Sequence, residues 1–322
     1  MIALVSRSPS HWVALVRDKG VVWIAVVGLY LVSSVISPAM FQVSQVLNIL
    51  QVAAFLGIIA AGETIVLLAG GIDLSVAGVV TLTNIVSTSV LLGKAGNIPA
   101  AIAITLSLAL AVGLINGLLV TALRITPLIA TLGMNSILYG AALVYTGGAP
   151  HGSVPQAFQV VGQGSAGGVP FSTVSWLALS ALMVWISRAT VYGRWIYAVG
   201  ANPRAAGLMG APVRRITVSA YMVSSTVAAI GGLLLTAYIG SPSLGIGNQF
   251  LLTSIAAVVV GGTTLEGGVG GVVGTIGGAL LITELNSFTN IVQVSTGTQY
   301  VLQGLIIALS VFLYRFVGTR AA

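Results

Sequence analysis

Residues 69–76 read Ala69-Gly70-Gly71-Ile72-Asp73-Leu74-Ser75-Val76, with a long apolar run on either side. Paired glycines can end one helix through a left-handed cap. A carboxylate just beyond can cap the next helix, close to its positive N-terminus. Inside a bilayer a carboxylate is costly, so Asp73 is equally a candidate for gating or solute contact. Composition sets the context for both readings. The 322 residues are 57% hydrophobic and 5% charged, with mean hydropathy +1.08. A soluble domain is about 25% charged. Too few charges remain to cover a water-facing surface, so the chain is an all-α polytopic membrane protein.

Working outward, apolar runs suited to crossing a bilayer lie at 21–37, 45–69, 73–92, 98–121, 126–146, 171–188, 215–238, 250–262, 271–288 and 298–316. Basic residues test that count of ten. Arg7, Arg17 and Lys19 precede the first span; Arg188, Arg194, Arg204, Arg214 and Arg215 fill the sixth connection; Arg315 and Arg320 follow the last. Ten spans put all three groups on the cytoplasmic side and leave Lys94 outside, so both termini are expected in the cytoplasm. The N-terminal segment reads as a retained helix, because no small-x-small cleavage pattern follows it. The chain is expected to be a single transmembrane domain over 1–322, with a cytoplasmic arm at 1–20 and a cytoplasmic loop at 188–215.

The net charge of +7 reports orientation in a lipid bilayer and does not imply nucleic acid. Absence of cysteine excludes disulfides and thiolate metal sites, and two histidines with five carboxylates argue against a catalytic metal cluster. No G-x-x-x-x-G-K-[ST] loop occurs, so any ATPase must be another chain.

The basic connection holds a helix signature. Asn202 can cap, Pro203 fits the first helical position, Gly210 fits the left-handed stop, and Pro212 blocks continuation. About two turns are expected, with Ala205, Leu208 and Met209 as an apolar side. So short a helix must dock, either on the chain's own helix ends or on a cytoplasmic partner.

A second break, Gly261-Gly262-Thr263-Thr264-Leu265-Glu266-Gly267-Gly268, echoes the first. Thr263 and Glu266 have capping-box spacing. Both breaks fall on the cytoplasmic side in the ten-span count. Gly70, Gly71, Asp73, Ser75, Gly261, Gly262, Thr263 and Glu266 are therefore assigned to structure and gating. Gly113 and Gly117, like Gly270, Gly274 and Gly278, are spaced for close helix contact, within the chain or between two copies. Asn48, Gln51, Glu63, Asn84, Asn116 and Asn135 place polar groups in the spans. They are candidates for a translocation path or for interhelical hydrogen bonding.

These motifs resemble the permease subunits of ribose, xylose and arabinose class ATP-binding-cassette importers. The likeness runs through Leu47-Asn48-Ile49, Gly62, the Gly70–Val76 run, Ile115-Asn116-Gly117, Pro127–Gly133, Gly200-Ala201-Asn202, Ala205-Ala206, Gly210, Gly261-Gly262-Thr263 and Gly267-Gly268. It covers most of the chain. It implies about ten helices in a bacterial inner membrane, and pairing with a second permease copy or a paralogue. It further implies a cytoplasmic ATPase that carries ATP and magnesium, no cofactor in this chain, and an extracytoplasmic solute-binding protein. By this likeness, Asn202, Pro203, Arg204, Ala205, Leu208, Met209 and Gly210 form the ATPase-coupling helix. Ala77, Glu266 and Val269 depart from the usual pattern, which leaves the solute and the contacts of the second break open. The expected function is a non-enzymatic transport subunit importing a small sugar. Alternatives are a related permease for nucleosides, amino acids or a signalling furanose, and an ion-coupled transporter using Glu63, Asp73 and Glu284.

Overall fold

Long runs of Leu, Ala, Ile and Val with few interior prolines favour helices, and helices satisfy their own backbone where no water is available. The computed structural model describes residues 9–295, 297–299, 301–302 and 304–305, with side chains from residue 20 onward. The chain-order helices are α1 (Pro9–Ile36), α2 (Val43–Leu68), α3 (Val76–Leu91), α4 (Ile98–Thr121), α5 (Pro127–Thr146) and α6 (Gln156–Gln163). They continue with α7 (Phe171–Ala189), α8 (Val191–Ala201), α9 (Pro203–Leu208), α10 (Val213–Ile239), α11 (Phe250–Val260) and α12 (Val272–Ile291). A two-residue hairpin, β1 (Ser165–Ala166) with β2 (Val169–Pro170), is a small exception to the all-α expectation.

Among the described residues, six helices are long and apolar enough to cross a membrane: α2, α4, α5, α7, α10 and α12. Shorter apolar stretches at Gly20–Ile36, Val76–Leu91 and Phe250–Val260 match three further expected spans. The tenth, 298–316, lies mostly outside the described residues.

Helix α2 is the axis of the bundle; every residue from Ala53 to Leu68 is buried. Helix α10 packs along it and in turn carries α3 and α4, while α7, α11 and α12 also pack against α2. The small residues permit this. A β-carbon at Gly113 would sit 2.5 Å from Met222 Cα, and one at Gly117 would sit 2.7 Å from Val218 Cα. Gly274 and Gly278 likewise press on the α11 backbone at Gly261 and Ala257. The glycine spacings thus serve packing within one chain.

The helix ends sort into two ends of the bundle. One carries the breaks after α2 and α11, the α4–α5 connection and the α7–α10 connection. It holds Arg124, Arg188, Arg194, Arg204, Arg214 and Arg215. The other carries Lys94, the α5–α7 connection and the α10–α11 loop. Two elements of these connections have no counterpart in the sequence reading. Helix α8 is capped by Thr190, whose Oγ1 accepts from Gly193 N at 3.1 Å. Helix α6 lies across α10 and is fastened by Gln51 Nε2 to Gly162 O (3.0 Å) and Gln163 Nε2 to Tyr238 O (2.7 Å).

Gly113→Leu should force α4 from α10 and lower stability by about 1–3 kcal/mol. Gly133→Ala meets open space on α5 and should gain up to about 1 kcal/mol from helix propensity. Thermal unfolding of both variants in detergent measures the contrast.

Candidate functional site

Helix α2 stops where its glycines sit. Gly70 adopts φ +80°, Gly70 N donates to Leu67 O (2.9 Å), and Gly71 N donates to Val66 O (2.9 Å). That pair of bonds is the Schellman stop anticipated for this run. Helix α11 ends the same way, with Gly262 N to Val259 O (2.9 Å) and Thr263 N to Val258 O (3.1 Å). The echo between the two breaks is therefore real at the level of helix termination.

After Gly71 the chain crosses the bundle through a buried polar network. Glu63 and Asp73 are both fully buried. Glu63 Oε1 accepts from Asp73 N (3.0 Å), so α2 holds the segment that follows its own end. Asp73 Oδ1 accepts from Ser75 N (3.0 Å) and Ser75 Oγ (2.5 Å). Asn116 Nδ2 of α4 donates to Ser75 Oγ at 2.8 Å. Thr131 of α5 accepts from Leu74 N (3.0 Å), and Tyr221 of α10 donates to Ile72 O (3.4 Å). Asp73 differs from a simple helix cap. It closes a local turn on Ser75, and α3 begins only at Val76, with no side-chain cap of its own. Burial explains the change, since the non-helical segment 72–75 has no water to satisfy its N–H groups.

The second break departs from the capping-box expectation. Thr263 Oγ1 accepts from Gly271 N (3.1 Å), while Glu266 is exposed and residues 264–271 stay non-helical. Gly267, Gly268, Gly270 and Gly271 all have positive φ, which no helical turn allows. Instead, Thr264 N donates to Val269 O (3.2 Å) and closes a compact loop.

The two breaks meet a third segment. Gly268 N donates to the terminal Leu68 carbonyl at 3.0 Å. Gly200, near the end of α8, lies against both: a β-carbon there would come within 1.8 Å of Leu68 O and 2.6 Å of Gly268 N. Tyr197 OH of α8 also donates to Gly270 O (3.1 Å). Burial pushes the Tyr197 phenol above its ordinary range, with the nearby Arg188 charge working against it, so the phenol stays a donor.

Two residues beyond Gly200 the predicted short helix begins. Asn202 Oδ1 accepts from Arg204 N (3.1 Å) and Ala205 N (3.0 Å), Pro203 opens α9, and Gly210 ends it at φ +87°. Its inward contact is Ala206, 5% exposed, whereas Leu208 and Met209 are 91% and 79% exposed. Ala205 is exposed with them.

Of the polar candidates, Glu63, Asp73, Ser75 and Asn116 converge. The remainder stand apart. Asn84 ties α3 to α10 and the loop beyond it, through Thr236 Oγ1 (3.0 Å), Ser241 O (3.2 Å) and Ser243 N (2.7 Å). Gln51 binds α6. Asn48 is exposed, and Asn135 lies on α5 near Gly78. Glu284 is buried on α12, about 14 Å along the helix from Thr275, which touches the α2 residue next to Glu63. Thr131, Tyr221 and Gly200 were not singled out as site residues. Thr131 and Gly200 did fall within the runs carrying the resemblance, and a polar side chain in an apolar run was the available signal for Thr131.

The family described as "Branched-chain amino acid transport system / permease component" matches residues 45–311, a stretch holding both breaks, α9 and the network between them. The chain belongs to this permease family. It is 35% identical over 290 residues to the ribose import permease protein RbsC of Bacillus subtilis, covering 89% of each chain. The Escherichia coli K12 ribose import permease protein RbsC is 37% identical over 296 residues, covering 90% of this chain and 91% of that one. The galactose/methyl galactoside import permease protein MglC of Haemophilus influenzae is 35% identical over 282 residues, covering 82% and 84%. No solved structure matches the chain. Family and apolar helices together make it an integral membrane transport component.

Ser75→Ala removes the hydroxyl that links Asp73 to Asn116 and strands the buried Asn116 amide, while Asp73 Oδ1 keeps the Ser75 N–H. It should cost about 1–3 kcal/mol, and adding Asn116→Ala should cost less than the two single losses summed. Asp73→Asn keeps an oxygen for Ser75 and should stay within about 1 kcal/mol of the parent. Denaturant titration in mixed micelles checks all three.

Proposed function

We propose that the chain is the transmembrane subunit of an ATP-driven importer for a small sugar. The observation that carries this reading is α9. A helix of six residues presents Leu208 and Met209 outward at the end of the bundle where both breaks meet. It cannot be stable alone, and its own chain holds it only through the caps and Ala206. An apolar pair exposed at an arginine-rich end suits a groove on a soluble partner. The connection 188–215 contains no Asp or Glu, so an acidic groove fits it.

The partner is a cytoplasmic ATPase subunit that carries ATP and magnesium. A solute-binding protein delivers cargo to the opposite face, and a second permease copy or paralogue completes the pathway. The concentration of arginines at one end supports placing that end in the cytoplasm of a bacterial inner-membrane protein. Ten spans with both termini inside, and one transmembrane domain over 1–322, fit that orientation. The names of the ribose and galactose permease relatives favour a sugar as cargo. ATP binding would close the motor and push α9; the glycine junction at Gly200 would pass that motion to the ends of α2 and α11. An ion-coupled cycle through three carboxylates has less support, because Glu63 and Asp73 engage local N–H groups and Glu284 stands apart.

Leu208→Asp combined with Met209→Asp should reduce ATP-driven uptake of ribose or galactose at least tenfold in proteoliposomes holding the complete complex. Membrane insertion should be unchanged. Uptake at the parental rate would overturn the docking role of α9.

A further inference from the structure

The loop between α11 and α12 shows a distinct outer surface. Leu265 and Val269 are 41% and 58% exposed, and Glu266 is exposed between them. Among the described side chains Glu266 is the one exposed carboxylate, since Glu63, Asp73 and Glu284 are all buried. Among the described residues it forms no ion pair with the arginines that share its end of the bundle. The loop is nonetheless ordered: Thr264 N to Val269 O closes it, and Thr263 Oγ1 to Gly271 N pins its base.

Its position is fixed relative to α9. Gly268 would place a β-carbon 2.7 Å from Ala201 N, the residue before the Asn202 cap, and Gly267 would place one 3.0 Å from Gly200 O. Loop and helix root are thus in backbone contact. The apolar tip of α9 and the apolar flank of the loop belong to one end of the molecule, the end that carries the arginines.

We propose that the Thr264–Val269 loop is a second docking element for the same ATPase subunit, with Glu266 receiving a basic side chain of that partner. The proposal rests on the docking role of α9. Continuity with α9 argues for one shared occupant. Charge argues the same way: the arginines beside α9 ask for an acidic rim, and Glu266 asks for a cation next to it. A pair of opposite signs fixes the orientation in which a partner can seat, which arginines alone would not do. Because the loop also bonds Leu68 O, a motor touching it would act directly on the end of the central helix.

The test uses the complete complex, purified with the ATP-binding subunit that supports its uptake. Photoreactive p-benzoylphenylalanine is placed singly at Leu208, Leu265 or Val269, all exposed positions, and the products are identified by mass spectrometry. Crosslinks to the ATPase from Leu208 and from at least one loop position are expected. A crosslink from Leu208 with none from either loop position overturns the second docking element and leaves the role of α9 standing. No ATPase crosslink from any of the three overturns both. Loop crosslinks to a second permease copy or to the chain's own N-terminal arm overturn the proposal. Glu266→Lys should lower ATP-driven uptake at least fivefold, with Glu266→Gln falling between it and the parent; uptake unchanged in Glu266→Lys removes Glu266 from the contact.

Discussion

The carbonyl of Leu68 is the last acceptor of a helix buried from Ala53 to its end, and a carbonyl there must find a donor within the protein. It finds Gly268 N, from a loop some two hundred residues later, with Gly200 pressed against it from a third segment. Three chain reversals therefore share one point of closure. A side chain at Gly200, Gly267 or Gly268 would separate them, so these glycines follow from the need to bring backbones together where side chains would intervene. The Glu63–Asp73–Ser75 network solves the same problem on the other side of the break, by supplying side-chain oxygens to N–H groups that no helix satisfies.

Much of this was legible beforehand, for local reasons. The stop at Gly70 and the Asn202–Gly210 helix follow from backbone preferences acting within a few residues, and such preferences can be read from sequence. The apolar runs located nine helices among the described residues because length and hydropathy dominate in a membrane. Charge placement separated the two ends of the bundle, and Arg124, not used in that count, falls with the other arginines.

What was not legible depended on distant partners. The capping box at Thr263 and Glu266 was a correct local pattern defeated by four positive-φ glycines after it. Asp73 looked like a cap because its sequence neighbours suit one; its real contacts are set by Glu63 and by the need to satisfy Ser75. The amides looked alike in sequence but separate in space: Asn116 joins the central network, while Asn84 and Gln51 fasten loops at the opposite end. Helices α6 and α8 are short and only partly apolar, so no hydropathy window finds them; their stability comes from what they lie upon.

The burial of α2 has a consequence for how the molecule is made. This helix is synthesised well before α7, α10, α11 and α12, the helices that enclose it. Until they arrive its flanks meet lipid, and Glu63, near the end of the helix, brings a carboxylate that is costly in hydrocarbon. Asp73 follows ten residues behind and can offer its N–H early, but Tyr221 and Gly268 arrive only with α10 and the loop after α11. Until α10 and the loop after α11 are made, the polar groups at the end of α2 lack the Tyr221 and Gly268 partners that complete their site.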